Sequence, residues 1–451
     1  MPRLKTVYRC SECGGTSHKW LGRCPACEAW NTLVEEADVE RTAAPLAPSS
    51  QPVLMADVDL GAFAHRPVGI GELDRVLGGG LVPGSVTLLG GEPGIGKSTL
   101  LLQAVAALAR GGARCLLVCA EESAQQVRTR ADRLNAVAPD LFLVAETSLH
   151  HVLAHVDQLQ PDVLVVDSIQ TVFDPDLGSA PDSVAQVREC AARLVREAKE
   201  RDMTTVLVGH VTKDGTLAGP RVLEHIVDTV LSFEGDRHHA LRLLRAAKHR
   251  YGSTSELGLF EMTELGLAGV PDPSGLFLGD RRPGVAGSVV VPAMDGHRPL
   301  LVEVQSLVSP TNLPQPRRSA QGLDSGRLAL VLAVLAQRAG VALGSFDVHA
   351  SAVGGVKVVE PAADLGVALA LVSSLTNQPM ADQLVVCGEI GLGGELRQVS
   401  QTARRLAEAA RLGFRTAIVP ASAPEPPGDI RAMRAGTIAD AIRLAGLSPR
   451  G

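Results

Sequence analysis

One stretch of nine residues constrains the fold of this chain more than any other. Residues 91–99 read Gly-Glu-Pro-Gly-Ile-Gly-Lys-Ser-Thr and match the phosphate-binding pattern GxxxxGK[ST] at every position. The apolar run Val86–Leu89 before it predicts a buried strand, and Leu100–Arg110 after it predicts a helix. Strand, glycine-rich loop and helix in that order are the context in which this motif binds nucleotides. The sequence therefore predicts an α/β nucleotide-binding core.

The residues of this loop have distinct predicted roles. Its glycines let backbone N–H groups close around phosphates, and the N-terminus of the next helix adds positive potential. We expect Lys97 to contact the β- and γ-phosphates of ATP and the Ser98 hydroxyl to bind Mg(II). The predicted ATP-binding loop consists of Gly91, Glu92, Pro93, Gly94, Ile95, Gly96, Lys97, Ser98 and Thr99.

Carboxylates follow two further predicted strands of the same sheet. Asp167 ends the apolar run Val163–Val166, and we expect it to hold the water shell of the Mg(II) ion. Cys115–Cys119 leads to Glu121, which we predict polarises the water that attacks ATP. A carboxylate at the carboxyl end of a parallel strand faces the ligand crevice. Glu122 is the alternative base.

A histidine follows the fourth predicted strand, Thr205–Val208. His210 leaves this strand where a polar side chain can sense the γ-phosphate. The glycine-containing loop behind it is a candidate mobile loop for DNA contact. We therefore predict that His210 is a catalytic residue.

Four of the eight cysteines lie within the first 27 residues, in two CxxC pairs separated by ten residues. Two such turns supply the four thiolates of a tetrahedral Zn(II) site. A segment of about 30 residues buries too little surface to fold without a metal. Two disulfides or a rubredoxin-type iron site are the alternatives, and we expect Trp20 and Trp30 to pack inside this segment. The predicted zinc ligands are Cys10, Cys13, Cys24 and Cys27.

Composition excludes several classes of protein. The formal net charge is −6 and aromatics make up 3% of residues, so neither a globally basic surface nor an aromatic stacking platform is expected for nucleic acid. No apolar run approaches the roughly 20 residues of a membrane-spanning helix, and the first residues do not resemble a signal peptide. Scattered single cysteines beside one metal cluster are typical of a cytoplasmic protein.

Composition also predicts the domain limits. A Pro-, Ser- and Ala-rich stretch at 43–52 is typical of a linker. We predict a four-cysteine zinc finger at 1–36, a linker at 37–58, an ATPase domain at 59–272 and a third domain at 280–451.

The last third of the chain has a different pattern. Gly287–Val291 and Leu300–Val304 predict paired strands. Helices are predicted at Leu323–Arg338, Asp364–Ser373 and Ser400–Leu412, the last one capped by its first residue.

These features together resemble the RadA (Sms) family of bacterial recombination proteins. The resemblance rests on three features: the four-cysteine motif, the phosphate-binding loop at 91–99 (the P-loop) with residues 69–81 before it, and the sequence Lys-His-Arg-Tyr-Gly at 248–252. The family motif there is Lys-Asn-Arg-Phe-Gly, so this chain keeps the lysine, the arginine and the glycine and substitutes His249 and Tyr251. Residues 69–81 resemble the entry to a RecA-type ATPase core.

The resemblance implies more than the residues alone establish. It implies an ATP-dependent DNA motor that forms homohexameric rings, binds single-stranded and branched DNA, and extends heteroduplex by branch migration alongside the RecA recombinase. It also implies ATP, Mg(II) and Zn(II) as cofactors and no association with a membrane.

The C-terminal third resembles the proteolytic domain of Lon, an α+β domain with a Ser-Lys dyad. The family serine falls on Ala362, and counting onward from the matching stretch 388–394 puts the lysine position at Ala403. Neither methyl group can attack a carbonyl or accept a proton. We therefore expect a catalytically inactive scaffold for ring assembly and DNA contact. Candidate phosphate contacts in this domain are Arg317, Arg318, Arg327 and Lys357.

Lys248 and Arg250 follow a predicted strand region, Ala240–Leu244, beyond the last nucleotide-binding element. Two cations two residues apart in an extended segment project to the same side. We predict that they reach the γ-phosphate bound by a neighbouring subunit, as arginine fingers do. The alternative is that both contact DNA phosphates in the ring channel.

Two other classes of function compete with the DNA motor. The Lon-like region suggests an ATP-dependent protease or its regulator, against which the residues at 362 and 403 argue. A KaiC-like signalling ATPase is the other, and both the zinc module and the motif at 248–252 favour the DNA motor over it.

Overall fold

The computed structural model describes residues 5–38, 54–55, 64–210, 222–235 and 241–448. Contacts divide the chain into two units, Met1–Pro271 and Asp272–Gly451. Within the described ranges, no helix combines the length and the apolar character that crossing a membrane requires.

The first unit begins with a small antiparallel sheet in the order β2-β1-β3. Its strands are β1 (Lys5–Cys10), β2 (Thr16–Ser17) and β3 (Leu33–Asp38). Cys10, Cys24 and Leu33 form its core, with Tyr8 and Cys13 packed against them. The cysteine cluster therefore takes the place of an ordinary hydrophobic core.

A nine-stranded sheet forms the rest of the first unit, in the order β12-β11-β10-β9-β4-β8-β7-β5-β6. Its strands are β4 (Val86–Gly91), β5 (Cys115–Cys119), β6 (Leu141–Ala145), β7 (Val163–Asp167), β8 (Thr204–His210), β9 (Thr229–Glu234), β10 (Leu241–His249), β11 (Leu257–Thr263) and β12 (Gly266–Gly269). Its helices are α1 (Gly71–Val76), α2 (Lys97–Arg110), α3 (Ala124–Arg133), α4 (Leu149–Leu159), α5 (Val184–Glu200) and α6 (Val222–Ile226).

Helices cover both faces of this sheet. Leu89 of β4 and Leu117 of β5 pack on one face with α1, α2 and α3, whereas Leu88 and Leu116 pack on the other with α4, α5 and α6. A strand buried on both faces reads as a continuous apolar run, which is why the sequence predicts these strands well. From β9 to β6 the strands are parallel, so their carboxyl ends meet at one edge.

The second unit contains a mixed seven-stranded sheet in the order β15-β16-β14-β13-β17-β20-β21, and a two-stranded sheet β18-β19. Its strands are β13 (Ser288–Asp295), β14 (Arg298–Pro310), β15 (Arg318–Gln321), β16 (Phe346–Ala352), β17 (Leu384–Val386), β18 (Glu389–Ile390), β19 (Leu396–Arg397), β20 (Thr416–Pro420) and β21 (Arg431–Ala435). Its helices are α7 (Pro273–Leu278), α8 (Ser325–Arg338), α9 (Asp364–Thr376), α10 (Thr402–Arg411) and α11 (Ile438–Leu444), with 3₁₀ turns at Val353–Gly355 and Pro361–Ala363.

The two strands and three helices predicted for this unit are present, and one predicted detail differs. The paired strands are β13 and β14, which are antiparallel from Ser288 to Asp295. The predicted cap of the last helix is wrong, because Gln401 with φ 55° occupies the N-cap position and no side chain caps α10. Helix α7 lies between the two predicted domain ranges, and Ser274 Oγ accepts a hydrogen bond from the backbone N–H of Leu301 at 3.1 Å.

Candidate functional site

The loop between β4 and α2 has a backbone shape that its glycines make possible. Gly94 and Gly96 have φ of 77° and 115°, in the left-handed region that favours glycine. A Cβ at Gly91 would lie 2.6 Å from the carbonyl oxygen of Phe233, so this position also excludes a larger residue. The first N–H groups of a helix lack intrahelical acceptors, so the start of α2 offers its own to phosphate oxygens.

Lys97 lies inside this loop and not on the protein surface. It is only 4% exposed, and its Nζ donates to the carbonyl oxygens of Gly91 and Glu92 at 2.8 and 3.0 Å. Burial lowers the pKa of Lys97, whereas the nearby carboxylates of Asp167 and Glu121 raise it. The loop thus holds the ammonium group where a bound phosphate can take over from the two carbonyls.

Ser98, Asp167 and Glu121 lie together beside the loop, at the ends of α2, β7 and β5. Burial raises the pKa of Asp167, and a hydrogen bond with the Ser98 side chain lowers it. The Ser168 hydroxyl donates to the Glu121 carboxylate. The predicted Mg(II) ligand Ser98, the Asp167 carboxylate that is expected to hold the water shell of the ion, and the predicted base Glu121 are therefore brought together by α2 and by the neighbouring parallel strands β7 and β5.

The alternative base, Glu122, has a different partner. Arg130 of α3 pairs with Glu122 at 2.5 Å. Glu121 and Glu122 both line a cavity of about 50 Å³ together with Ser98 and Asp167. Glu122 is thus engaged by a cation, whereas Glu121 is bonded to the hydroxyl of the residue after Asp167.

His210 is the last residue of β8. In the parallel pairing of β4 and β8 its backbone lies opposite Gly91, at the start of the P-loop. Its side chain and the segment 211–221 lie outside the described residues. The predicted γ-phosphate sensor and the DNA-contacting loop remain predictions.

Lys248 lies at the end of β10, near α6. The strand extends to His249 and not only to Leu244, so Lys248 belongs to the strand instead of following it. A bulge interrupts the pairing with β9 between Ala246 and Lys248. The Lys248 Nζ donates to the carbonyl oxygens of Glu224 and Val227, each at 2.7 Å. This cation therefore binds the C-terminal end of α6 in the same chain.

Arg250 lies at the end of the sheet opposite the P-loop. Its Nη1 donates to Asp228 Oδ1 at 2.9 Å, and Asp228 accepts from the backbone N–H of Val86 at 3.0 Å. Val86 is the first residue of β4, whereas the P-loop leaves the last. A strand of six residues spans about 17 Å at roughly 3.3 Å per residue. Arg250 is therefore remote from the nucleotide loop of the same chain.

The four predicted zinc ligands form one cluster. Cys10 Sγ lies 3.6 Å from Cys27 Sγ, and Cys13 Sγ lies 3.6 Å from Cys24 Sγ. All four sulfurs lie within 4.8 Å of one another. Sulfurs bound tetrahedrally to zinc at about 2.3 Å are separated by about 3.8 Å, so the cluster fits this ion.

The prediction that the two tryptophans pack inside this segment is wrong. Trp20 is 57% exposed and Trp30 is 71% exposed. The guanidinium of Arg23 lies over the Trp30 ring, 6.0 Å from its centroid. The core of this segment consists of Cys10, Cys24 and Leu33, and neither indole ring belongs to it.

The four remaining cysteines are ordinary core residues. Burial raises the pKa of each thiol to about 12, which keeps it protonated and unreactive at neutral pH. They are Cys115, Cys119, Cys190 and Cys387.

The Lon-like dyad position contains a buried ion pair. Ala362 lies in a 3₁₀ turn and is 1% exposed. Counting along the sequence placed the family lysine at Ala403, and the structure contradicts this placement. Ala403 lies on the exposed face of α10, whereas Arg405 is fully buried. Arg405 pairs with Glu360 through both guanidinium nitrogens, at 2.7 and 2.6 Å. The cation beside the Ala362 turn is therefore an arginine engaged by a carboxylate.

Comparison with known proteins gives relatives along almost the whole chain. DNA repair protein RadA of Halalkalibacterium halodurans is 48% identical over 93% of each chain, and that of Bacillus subtilis is 45% identical over 99% of each chain. The chain belongs to the RadA family. The family predicted from the motifs is therefore confirmed.

Family models also match separate parts of this RadA-family chain. An AAA domain matches residues 60–216, a rubredoxin metal binding domain matches 8–35, and subunit ChlI of Mg-chelatase matches 354–423. The predicted fold class, with a zinc ribbon, a RecA-like ATPase core and a Lon-like C-terminal domain, is confirmed. A solved KaiC-like protein of Pyrococcus horikoshii is 23% identical, with a TM-score of 0.39, over 46% of this chain and 100% of that chain.

One residue beside the P-loop of this RadA-family chain was not predicted from the sequence. Arg242 of β10 is 7% exposed, and its Nε donates to the carbonyl oxygen of Ile95 at 3.1 Å. It lies on the same buried face of the strand as Leu244 and Ala246. A charged residue in a buried register needs a polar partner, and this signal was available in the sequence.

Proposed function

We propose that this chain is an ATP-driven DNA motor of homologous recombination and DNA repair. It binds single-stranded and branched DNA in the cytoplasm, promotes branch migration alongside the RecA recombinase, and works as a homohexameric ring. Membership of a family of DNA repair proteins and the AAA-type nucleotide site support this proposal.

In this proposal the residues of the P-loop bind and orient ATP. Lys97 neutralises the charge that develops on the transferred phosphoryl group. The Ser98 hydroxyl would bind Mg(II) and Asp167 would hold the water shell of the ion, which would supply further charge neutralisation at the phosphates. Glu121 orients and polarises the attacking water, with Glu122 as the alternative. His210 senses the γ-phosphate from the end of β8.

The proposal of a ring rests on the distance between Lys97 and Arg250 within one chain. Lys97 lies at the carboxyl end of β4, whereas Arg250 is tied through Asp228 to the amino end of the same strand. A cation remote from its own nucleotide can act on the nucleotide of the next subunit in a ring. Lys248 and Arg250 are therefore proposed as fingers in trans, and DNA contact remains the alternative.

An ATPase assay with and without single-stranded DNA, run beside size measurement in the presence of ATP, tests this function. We expect a hexamer and a hydrolysis rate that DNA stimulates. A monomer whose rate is indifferent to DNA would contradict the proposal.

The proposed domains are a zinc finger at 1–36, a linker at 37–58, the ATPase at 59–272 and the Lon-like domain at 280–451.

We expect one Zn(II) per chain, bound by Cys10, Cys13, Cys24 and Cys27. Removing the metal with a chelator should make four thiols titratable, because the other four are buried. Denatured protein, with all eight thiols accessible, is the control. Native protein without zinc, or with four freely reactive thiols, would refute the assignment.

The competing function is an ATP-dependent protease. We expect no degradation of casein with ATP, because a methyl group at position 362 has no lone pair with which to attack a carbonyl, and the Arg405 guanidinium keeps its proton and cannot act as a base. Degradation that requires ATP and disappears in the Lys97→Ala variant would revive the protease.

A further inference from the structure

Asp228 is a buried carboxylate on which several elements converge. It lies between α6 and β9, and it is 1% exposed. Its Oδ2 accepts from the backbone N–H of Val86 at 3.0 Å, and its own N–H donates to the Val86 carbonyl at 2.9 Å. These bonds fix the carboxylate to the start of β4, the strand that leads to the P-loop.

Two half-exposed cations bind this buried carboxylate. Arg250 Nη1 lies 2.9 Å from Oδ1, and Lys199 Nζ of α5 lies 3.2 Å from Oδ2, with side chains that are 51% and 47% exposed. The backbone N–H of Arg250 also donates to the Asp228 carbonyl, at 3.2 Å. Asp228 therefore holds Arg250 at both its backbone and its guanidinium group.

Among the described residues, Asp228 is the side-chain partner of the Arg250 guanidinium. An arginine has five N–H donors in a rigid fork, and the contact with Asp228 uses the Nη1 group. Fixing a long side chain before it meets its ligand lowers the entropy that binding would otherwise cost. Because the Asp228 carboxylate binds one nitrogen of Arg250 from the buried side, it orients the remaining donors outward in a defined direction.

Lys248 depends on the same segment. Its Nζ donates to two carbonyl oxygens of residues 224–228, the segment that Asp228 ends. Two hydrogen bonds between Asp228 and Val86, one from the Asp228 backbone N–H and one to the Asp228 carboxylate, anchor this segment to β4. One anchored segment thus orients both cations.

We propose that Asp228 is the positioning residue for Arg250, and through its segment for Lys248, when these cations act on the nucleotide of the neighbouring subunit. The inference rests on the proposed function, because it requires fingers in trans. Among the described residues, the hydrogen bonds and ion pairs of the Asp228 carboxylate go to Val86, Lys199 and Arg250 and not to its own nucleotide loop, so we expect its effect at the next subunit.

The test is the Asp228→Asn variant, which keeps the shape and the acceptor for Val86 but removes the charge. We expect normal ATP binding and a hydrolysis rate about 10- to 100-fold lower, because misplaced catalytic groups lose rate on this scale. The matched control is Glu197→Gln on α5, which removes another buried carboxylate, paired with Arg193 and Arg201 and not with Arg250. The control should hydrolyse ATP at the normal rate.

Mixed rings separate positioning from a merely structural role. Glu121→Gln subunits keep their cations, so they should restore activity to Asp228→Asn subunits. Arg250→Ala subunits lack the same function and should restore nothing. If Asp228→Asn does not fold, Asp228→Glu, which displaces the carboxylate without removing its charge, replaces it in the same mixtures.

Two outcomes overturn the inference in different ways. If Glu121→Gln rescues Arg250→Ala but does not rescue Asp228→Asn, the cations act in trans and Asp228 does not position them. If Glu121→Gln rescues neither, the trans arrangement itself is wrong, and the inference falls with it.

Discussion

Replacement of Lys97 by alanine should abolish measurable ATP hydrolysis and DNA remodelling. The ammonium group is buried in the loop and already bound by two carbonyl oxygens, so no other cation of the loop can replace it. Loss of one preorganised donor to a developing negative charge costs about 10²- to 10³-fold in rate. The measurement is steady-state phosphate release with and without single-stranded DNA.

The control for this variant lies on the same helix. Arg110→Ala removes an exposed cation from the last turn of α2, far from the loop, and should leave hydrolysis unchanged. Circular dichroism of both variants should match that of the unaltered protein. Hydrolysis at an unchanged rate in the Lys97→Ala protein would refute the assignment of the nucleotide site.

Arg250→Ala and Glu121→Gln subunits should each be inactive alone and recover ATPase activity when mixed. Removing an arginine finger lowers the rate by about 10³-fold or more. In a ring each interface combines one subunit's nucleotide loop with its neighbour's cations, so random equal mixing restores about a quarter of the interfaces. The measurement is ATP hydrolysis across a series of mixing ratios.

The Arg250→Ala subunit is well suited to this experiment. Lys199 still pairs with Asp228 at 3.2 Å, so the buried carboxylate keeps a cation after the substitution. Sizing must show that mixed rings form. If Arg250→Ala alone hydrolyses ATP normally and only loses DNA affinity, Arg250 contacts DNA and the trans role is wrong.

The sequence was most informative where function depends on consecutive residues. The P-loop motif occupies nine adjacent positions, and its neighbours are strands buried on both faces, so both the motif and its context can be read directly. The two CxxC turns are equally local. Asp167 and Glu121 were found because each follows an apolar strand, and parallel strands bring such ends together.

Features that depend on pairing between distant segments could not be predicted. No pattern near Arg250 shows that Asp228, which is 22 residues earlier, binds its guanidinium. The exposure of Trp30 depends on the small size of the core that the cysteine cluster forms. Ala403 was assigned by counting along the chain, whereas helical periodicity turns Arg405 and not Ala403 toward the interior.

The ion pair of Arg405 and Glu360 also bears on how this domain can evolve. A serine placed at position 362 would lie in the turn that follows Glu360, and the cation that pairs with Glu360 is a guanidinium that stays protonated at every physiological pH and cannot take a hydroxyl proton. Converting Arg405 to lysine alone would weaken a bidentate buried pair and supply no nucleophile. Neither substitution alone therefore supplies both the nucleophile and the base that peptide hydrolysis needs, so we expect that both positions would have to change together.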